Sequence, residues 1–405
     1  MLLTLLACNG SPDDTDPQAD GPTFYEDVAP ILSDNCWSCH QSGEIAPFTL
    51  TSYEDTQLVA SAVADSVAKR RMPPWLATDD GSCNDYQHSV WLEQDDIDTI
   101  VEWATGAQLE GDPANQPALP ESQISLEDYT HSLPLTDVYL PDFASGKDDY
   151  RCFIIDPGLT QDGFLASYEI VAGNPQVVHH VIVYVPNDEG ALADAYALDD
   201  QDPGDGYSCF GSANVSSYMS AVWAPGRNVW TYPEGTGVPL EAGMPHIMQV
   251  HYNDTGSEQG DTTEVRYKIV DSVEGQLYPW FLVNSDIAIP PGEENHQEKQ
   301  TVRIGSYIGP YTFELTAVGP HMHQIGSALR ASVKTGDEET CLIDVPRWDF
   351  NWQFAYEFET PVSITPDSRV TLECDYDSTD NDQTVYWGDG TQDEMCLLTM
   401  FSVFY

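Results

Sequence analysis

The chain has 405 residues, of which 14 are basic and 67 are acidic, so its formal net charge at pH 7 is −53. Binding to phosphate groups requires Lys and Arg, and this balance therefore excludes nucleic acids and anionic membrane surfaces as electrostatic partners. The acidic residues are dispersed among many aromatic and apolar ones, so the composition predicts a hydrated surface on a folded body rather than disorder.

The first eight residues end in Leu-Leu-Ala-Cys, which resembles the lipobox of bacterial lipoproteins and makes Cys8 the residue that would be lipidated. No basic residue precedes the apolar run, and the run is shorter than that of a signal peptide. We interpret residues 1–8 as the remnant of a lipoprotein signal that starts upstream, the alternative being that Cys8 is an ordinary residue. Residues 9–22 form a polar tether. The predicted location is the periplasm or cell surface, on the outer membrane of a Gram-negative bacterium.

A c-type haem site is predicted by Cys36 and Cys39, which are separated by two residues and followed directly by His40. In such a site the two thiols form thioethers to the porphyrin, and the imidazole binds the iron from one side. The motif therefore predicts one covalently bound haem c and a redox protein that is assembled outside the cytoplasm.

Met72 is the candidate sixth ligand of the iron, because a thioether opposite the histidine raises the reduction potential and the two following prolines restrict the backbone. The alternatives are that Met72 fills the core and that His88 is the ligand. The flanking segments resemble a small cytochrome c, with an entry helix over Phe24–Leu32 and a closing helix over Ile97–Ala107. We therefore predict an all-α, cytochrome c-like haem domain over residues 23–112.

Residues 113–134 are rich in Pro, Glu, Gln and Ser, which predicts a linker. Beyond them, short segments rich in β-branched and aromatic residues alternate with turn clusters, as in Val177–Val185 and Ile247–Tyr252. About 270 residues of this kind exceed one small sandwich. We therefore predict a multi-domain chain whose second part is two tandem all-β sandwich (jelly-roll-like) domains, over residues 135–274 and 275–405.

Most of the remaining histidines cluster in the β region. His321 and His323 are two residues apart, so on a strand they share a face and can chelate one ion. His179 and His180 are adjacent, and they need a bulge or a strong twist to bind the same metal, together with His251 from a later strand. The alternative interpretation is that these are core histidines of ordinary sandwiches.

The order of these histidines resembles the copper type II, ascorbate-dependent monooxygenases, which include dopamine β-monooxygenase and peptidylglycine α-hydroxylating monooxygenase. The family pattern is a His-His pair, a strand ending in Val-His-Tyr, a His-x-His and a Glu-Met-Cys, and all four occur here in that order over residues 135–405. The resemblance implies two copper ions. One would be bound by His179, His180 and His251. The second, at the catalytic site where dioxygen is activated, would be bound by His321, His323 and Met395.

The resemblance also implies a disulfide between Cys374 and Cys396 that steadies the methionine ligand. Four further cysteines form an even number in an exported chain, so disulfides are expected but their pairing stays open: Cys83, Cys152, Cys209 and Cys341. His246 precedes His251 by five residues and is a candidate to support it.

By resemblance, the expected function is hydroxylation of a C–H bond in a small organic substrate, with O2 and two electrons from ascorbate or another external reductant. The haem is interpreted as a relay of electrons to the three-histidine copper. The basic, Asn and Tyr residues with which peptide-amidating members bind a carboxylate are replaced by Gly319, Leu397 and Thr399, so a peptide substrate is not expected. The alternatives are a non-catalytic haem/copper electron-transfer or copper-sensing lipoprotein, and a cell-surface binding module.

Overall fold

The computed structural model describes residues 21–405, except 45, 120–124, 144–147, 224–227, 255, 257, 258 and 389–392. The predicted lipid site at Cys8, the signal remnant 1–8 and nearly all of the tether 9–22 lie outside the described residues. None of the helices in the described part of the chain is long and apolar enough to cross a membrane.

The N-terminal part is built from helices: a π-helical turn at Phe24–Val28, α1 at Ala29–Asn35, α2 at Tyr53–Ala68, α3 at Gln94–Thr105 and a 3-10 turn at Pro113–Asn115. Helix α2 begins where the Ser52 side chain accepts a hydrogen bond from the backbone of Asp55, a common way to satisfy a free N–H at a helix start. Helix α3 buries Ile100 and Trp103 on one face, as its apolar spacing requires. These helices enclose a core of their own that also contains Trp37.

The first β-sandwich contains ten strands and one helix: β1 His131–Pro134, β2 Asp148–Ile155, β3 Gly163–Val171, β4 Val178–Pro186, α4 Glu189–Gln201, β5 Tyr207–Ser208, β6 Ser217–Trp223, β7 Val229–Thr231, β8 Thr236–Leu240, β9 His246–Asn253 and β10 Glu264–Val270. One layer has the strand order β5-β2-β9-β4-β6, and the other has β1-β10-β3-β8 with β7 paired to β3. Strand β9 therefore lies between β2 and β4, which matters for the site below.

The second β-sandwich contains the remaining elements: β11 Gly275–Val283, β12 Ala288–Ile289, β13 His296–Arg303, α5 Ile304–Tyr307, β14 Phe313–His321, β15 Gly326–Thr335, β16 Glu338–Val345, β17 Tyr356–Ile364, β18 Arg369–Tyr376, β19 Val385–Tyr386 and β20 Leu397–Phe404. Its layers have the orders β13-β18-β15-β16 and β11-β20-β14-β17, and β12 pairs with β19.

The two sandwiches share one continuous layer. Strand β8 of the first pairs in parallel with β11 of the second, with Thr236 opposite Gly275. Phe401 and Val403 of β20 pack into the core of the first sandwich. The sandwiches are therefore joined by backbone pairing and by shared apolar packing.

The end of the predicted linker 113–134 is a strand. Residues His131–Pro134 form β1, in which Leu133 is opposite Val265 of β10 and is buried. The linker prediction is wrong over these four residues, because strand pairing with a segment more than 130 residues later cannot be read from local composition.

Residues 76–87, between α2 and α3 and called the strap from here on, pack against the second sandwich rather than against the helices. Leu76, Ala77 and Tyr86 belong to the core of that sandwich, and the Tyr86 hydroxyl donates to the Leu342 carbonyl at 3.0 Å. A disulfide joins Cys83 of the strap to Cys341. The predicted haem domain 23–112 is thus not a separate unit over its whole length.

Candidate functional site

Three histidines meet where β4 and β9 pair. His180 is opposite His251, and the register shifts between Val178 and His180, so that one extra residue of β4 is accommodated. Such a bulge turns the adjacent His179 toward the same side as its neighbour. The ligand-capable atoms of the three residues all lie within 4.8 Å of one another.

The three rings converge through their Nδ1 atoms. The Nδ1 of His180 is 3.3 Å from that of His179 and 3.4 Å from that of His251. Burial lowers the pKa of all three, that of His180 well below its usual range and that of His251 to about 3. The imidazoles are therefore neutral at physiological pH, which is the form that binds a metal.

Asp148 and Tyr150 orient His251. The Nε2 of His251 lies 2.9 Å from an Asp148 carboxylate oxygen, and the ring of Tyr150 stacks on the imidazole at 4.0 Å between centroids. When Nε2–H donates to Asp148, Nδ1 carries the lone pair that faces the other two histidines. His246 does not join this arrangement, because its Nδ1 is 3.0 Å from the Tyr267 hydroxyl on the other face of β9.

His321 and His323 form a second pair of imidazoles at the end of β14. Their ring centroids are 5.3 Å apart and the rings are perpendicular. The Nδ1 of His321 is 2.7 Å from the Gln353 side-chain oxygen, and the Nδ1 of His323 is 3.0 Å from the Asp393 carbonyl. Both Nε2 atoms remain for a metal. The pKa of His321 is lowered to about 4, mainly by burial and to a smaller extent by the neighbouring His323.

Glu394 connects this pair to Met395. Its carboxylate accepts hydrogen bonds from the backbone N–H groups of His323 at 2.9 Å, Ile325 at 2.9 Å and Met395 at 3.1 Å. The side chain is buried, and burial raises its pKa to about 7 against the lowering effect of these donors. Sequence reasoning missed Glu394 as a site residue, although it is the first residue of the Glu-Met-Cys segment.

Two further contacts hold Met395. Cys396 is disulfide-bonded to Cys374 of β18, the pair that the resemblance implies. The Tyr376 hydroxyl donates to the Met395 carbonyl at 3.0 Å. The four cysteines whose pairing was open form the bridges Cys83–Cys341 and Cys152–Cys209.

Both groups line one cavity of about 390 Å³ between the sandwiches. Its lining includes five of the six predicted copper ligands: His179, His180, His321, His323 and Met395. The wall between the groups comes from both sandwiches and includes Phe210, Trp223, Phe281 and Phe354. A cavity of this size, largely apolar with a few convergent polar groups, suits a small molecule.

Cys36 and Cys39 are free thiols, whereas the six other described cysteines are in disulfides. Burial raises the pKa of the Cys36 thiol to about 12. The Nδ1 of His40 is 3.1 Å from the Phe48 carbonyl, and when it donates there its Nε2 is the free ring nitrogen. Two free thiols and one available imidazole nitrogen are the groups that would hold a covalently attached haem.

The described contacts do not bring either candidate sixth ligand to His40. Met72 lines a small cavity with Val67 and Trp91, and its described lining includes none of the haem motif. The Nε2 of His88 lies 3.9 Å from a carboxylate oxygen of Glu357 in the second sandwich. The sixth ligand stays a prediction.

Two family models match the chain. The N-terminal domain of the copper type II ascorbate-dependent monooxygenases matches residues 136–259, and the C-terminal domain matches residues 278–405. Among solved structures, the major capsid protein P2 from bacteriophage PM2 covers 67% of this chain and 96% of its own, at 10% identity and a TM-score of 0.25, too low to support an inference.

Relatives include the DBH-like monooxygenase protein 2 of Mus musculus, 25% identical over 65% of this chain and 45% of its own length. The tyramine beta-hydroxylase of Caenorhabditis briggsae is 24% identical over 74% of this chain and 52% of its own. The dopamine beta-hydroxylase of Rattus norvegicus is 23% identical over 90% and 61%. The chain thus spans about half of the length of the relatives it matches.

Proposed function

Since the chain belongs to the copper type II ascorbate-dependent monooxygenase family, we propose that it hydroxylates a C–H bond of a small organic substrate, using O2 and two electrons. The observation that carries the proposal is the pair of donor groups facing one apolar cavity. The electrons would come from ascorbate or another external reductant.

The donor chemistry supports two copper ions. His179, His180 and His251 offer three neutral imidazole nitrogens, which suit both copper oxidation states. His321 and His323 offer two more, and the Met395 thioether adds a soft ligand that favours Cu(I). Copper bound in this way supplies one-electron redox chemistry at both sites and dioxygen activation at the site with the thioether.

The side chains around the two groups prepare the chemistry. Asp148 and Gln353 hold the far nitrogens of His251 and His321, so the metal-facing nitrogens keep their lone pairs. The wall of the cavity is largely apolar, so an apolar substrate would displace water from it favourably. The two donor groups, which line one cavity, would thus serve electron storage and substrate oxidation.

The test is copper stoichiometry together with oxygen uptake. The wild-type chain should bind two copper ions and consume O2 in proportion to hydroxylated product. Met395→Ala should keep the three-histidine copper and lose coupled oxygen uptake, whereas Met244→Ala, at a buried methionine outside the cavity lining, should keep both. Reversible redox cycling of wild-type copper without product would instead favour the alternative of an electron-transfer or copper-sensing protein.

We also propose that Cys36, Cys39 and His40 hold one haem c and that the N-terminal module relays electrons. Contacts of Arg70, which follows α2, would continue an electron route from this module into the second sandwich. The Arg347 guanidinium donates to the Arg70 carbonyl, and the next residue, Trp348, donates its Nε1–H to the His323 carbonyl at 3.1 Å. This route leads to the His321/His323 group rather than to the three-histidine group, toward which the relay is expected from the resemblance.

Stopped-flow absorbance tests the relay. The protein is first reduced and then mixed with oxidant, and the reoxidation of the haem is followed by its absorbance. Cys36→Ala/Cys39→Ala should contain no covalent haem. Trp348→Phe, which removes the hydrogen bond to His323 but keeps an aromatic ring, should slow haem reoxidation several-fold. Trp352→Phe, at a tryptophan that stacks on Phe354 instead, is the matched control. Equal reoxidation rates in both variants would contradict this route.

We propose that the protein is exported, because its three disulfides are of a kind that persists in oxidising compartments. Lipidation at Cys8, with anchoring to an outer membrane, is part of the same proposal. Labelling with a radioactive fatty acid tests it: Cys8→Ala should abolish incorporation and release the protein from the membrane fraction. Label that persists in Cys8→Ala would contradict the anchor.

A further inference from the structure

The cavity wall carries no Asp, Glu, Lys or Arg among the described residues that line it. An ammonium or carboxylate entering the copper-free cavity from water would lose its hydration without gaining an ion pair from these residues, and such burial is unfavourable. We propose that the substrate is a neutral, apolar small molecule with an aromatic or branched aliphatic body. This inference rests on the proposed hydroxylase function and specifies its substrate class.

Aromatic side chains stand beside both donor groups. Phe350 lies 6.1 Å from His323, with the rings nearly perpendicular. At the other group, Phe210 lies 4.8 Å from Tyr150, which itself stacks on His251. These separations are the ones at which aromatic rings attract each other, so a planar ring entering the cavity meets favourable partners at both ends.

An amide on the wall is already engaged within the protein. Gln353 directs its oxygen to His321 and its Nε2–H to the Phe350 carbonyl at 2.9 Å. Its polar atoms are therefore satisfied before a ligand binds. A substrate that hydrogen-bonded to Gln353 would have to compete for this side chain and would disturb the orientation of His321.

Gly319 and Thr399 occupy positions at which peptide-amidating relatives would bind a carboxylate, and neither residue carries a charge. They are paired across β14 and β20, and both line the cavity. A Cβ on Gly319 would lie 3.3 Å from the Thr399 Cβ, so a side chain at this position would crowd Thr399. This part of the wall offers one neutral hydroxyl group and no cation to a substrate.

The net charge of −53 attracts cations to the surface at long range, but screening limits this field to about 10 Å at 0.1 M salt. Selection inside the cavity therefore depends on its lining. The surface charge would favour an amine over a neutral molecule, whereas the uncharged lining of the cavity would favour the neutral molecule.

Calorimetry at pH 7 tests the proposal by measuring how tightly three probes bind to the copper-free full chain. The probes share a phenyl ring and differ in charge: 2-phenylethanol is neutral, 2-phenylethylamine is a cation and 3-phenylpropanoate is an anion. We expect the neutral alcohol to bind at least about ten-fold more tightly than either ion. A smaller preference, tighter binding of the amine or the carboxylate, or no binding of any probe would overturn the proposal.

Substitutions on β11 distinguish a contribution of the cavity wall to binding from a general effect on folding. Phe281→Ala should weaken binding of the alcohol about ten-fold, and Tyr405→Ala, an exposed ring outside the lining, should not. Val283→Asp places a carboxylate on the same wall and should turn the preference toward the amine. The binding test uses copper-free protein and does not depend on catalysis. If the chain binds the alcohol but the copper-loaded protein oxidises no substrate, that result would count against the hydroxylase function alone.

Discussion

The carboxylate of Glu394 accepts a hydrogen bond from the backbone N–H of His323 at 2.9 Å. The two residues are 71 positions apart in the chain, and the same carboxylate binds the N–H of Met395. One buried carboxyl group therefore sets the distance between the imidazole pair and the thioether, because both backbones are hydrogen-bonded to it.

Glu394→Gln is expected to disturb this arrangement, because an amide has one acceptor oxygen and directs an NH2 group toward backbone donors. Fewer of the three backbone donors then have an acceptor, so the spacing between Met395 and the His321/His323 pair should no longer be fixed. Metal analysis should show one copper per chain instead of two. The exposed Glu338→Gln is the matched control, and two tightly bound copper ions in Glu394→Gln would refute the role.

Asp148→Ala is expected to weaken copper binding at the three-histidine group about 10- to 100-fold, because the Nε2–H of His251 loses its acceptor. Asp148→Asn keeps an acceptor oxygen and should lose less. Competition with a chromophoric chelator measures the affinity. Asp137→Ala is the control, and an unchanged affinity in Asp148→Ala would show that Tyr150 alone orients the ring.

Cys83→Ser/Cys341→Ser is expected to loosen the strap. The bridge closes a separation of 258 residues, for which chain entropy predicts a contribution of up to about 5 kcal/mol. Hydrogen exchange should become faster at the backbone N–H of Gln87, which donates to the Glu357 carbonyl. Cys152→Ser/Cys209→Ser should leave this amide protected, and equal protection in all variants would contradict the prediction.

His246 is expected to make stability depend on pH. Burial lowers its pKa to about 3, whereas an unfolded histidine titrates near 6.5. Between these values the unfolded chain binds a proton that the folded chain does not, so stability falls as pH decreases, by at most about 1.4 kcal/mol per pH unit.

His246→Phe should remove this contribution, so denaturant unfolding of the copper-free protein should favour the variant increasingly as pH falls from 7 to 4. Tyr267→Phe, which removes the hydroxyl that contacts His246, should keep the wild-type pH dependence. A difference between His246→Phe and wild type that is constant with pH would disprove the assignment.

The sequence by itself determined the residue types proposed to bind metal and their order, because a ligand's chemistry belongs to the side chain. It also placed the main strands, since alternating burial leaves a local pattern: Val178–Pro186 and His246–Asn253 lie where Val177–Val185 and Ile247–Tyr252 were predicted. The haem motif is likewise a local signal, and its haem stays a prediction.

Only the tertiary structure decided which distant residues support those ligands. Asp148 meets His251 across 103 positions, and Tyr86 meets Leu342 across 256. Such contacts depend on strand register and on the docking of the strap, which local periodicity does not encode. The uncharged cavity wall arises in the same way, because the two sandwiches each contribute part of a surface that neither forms alone.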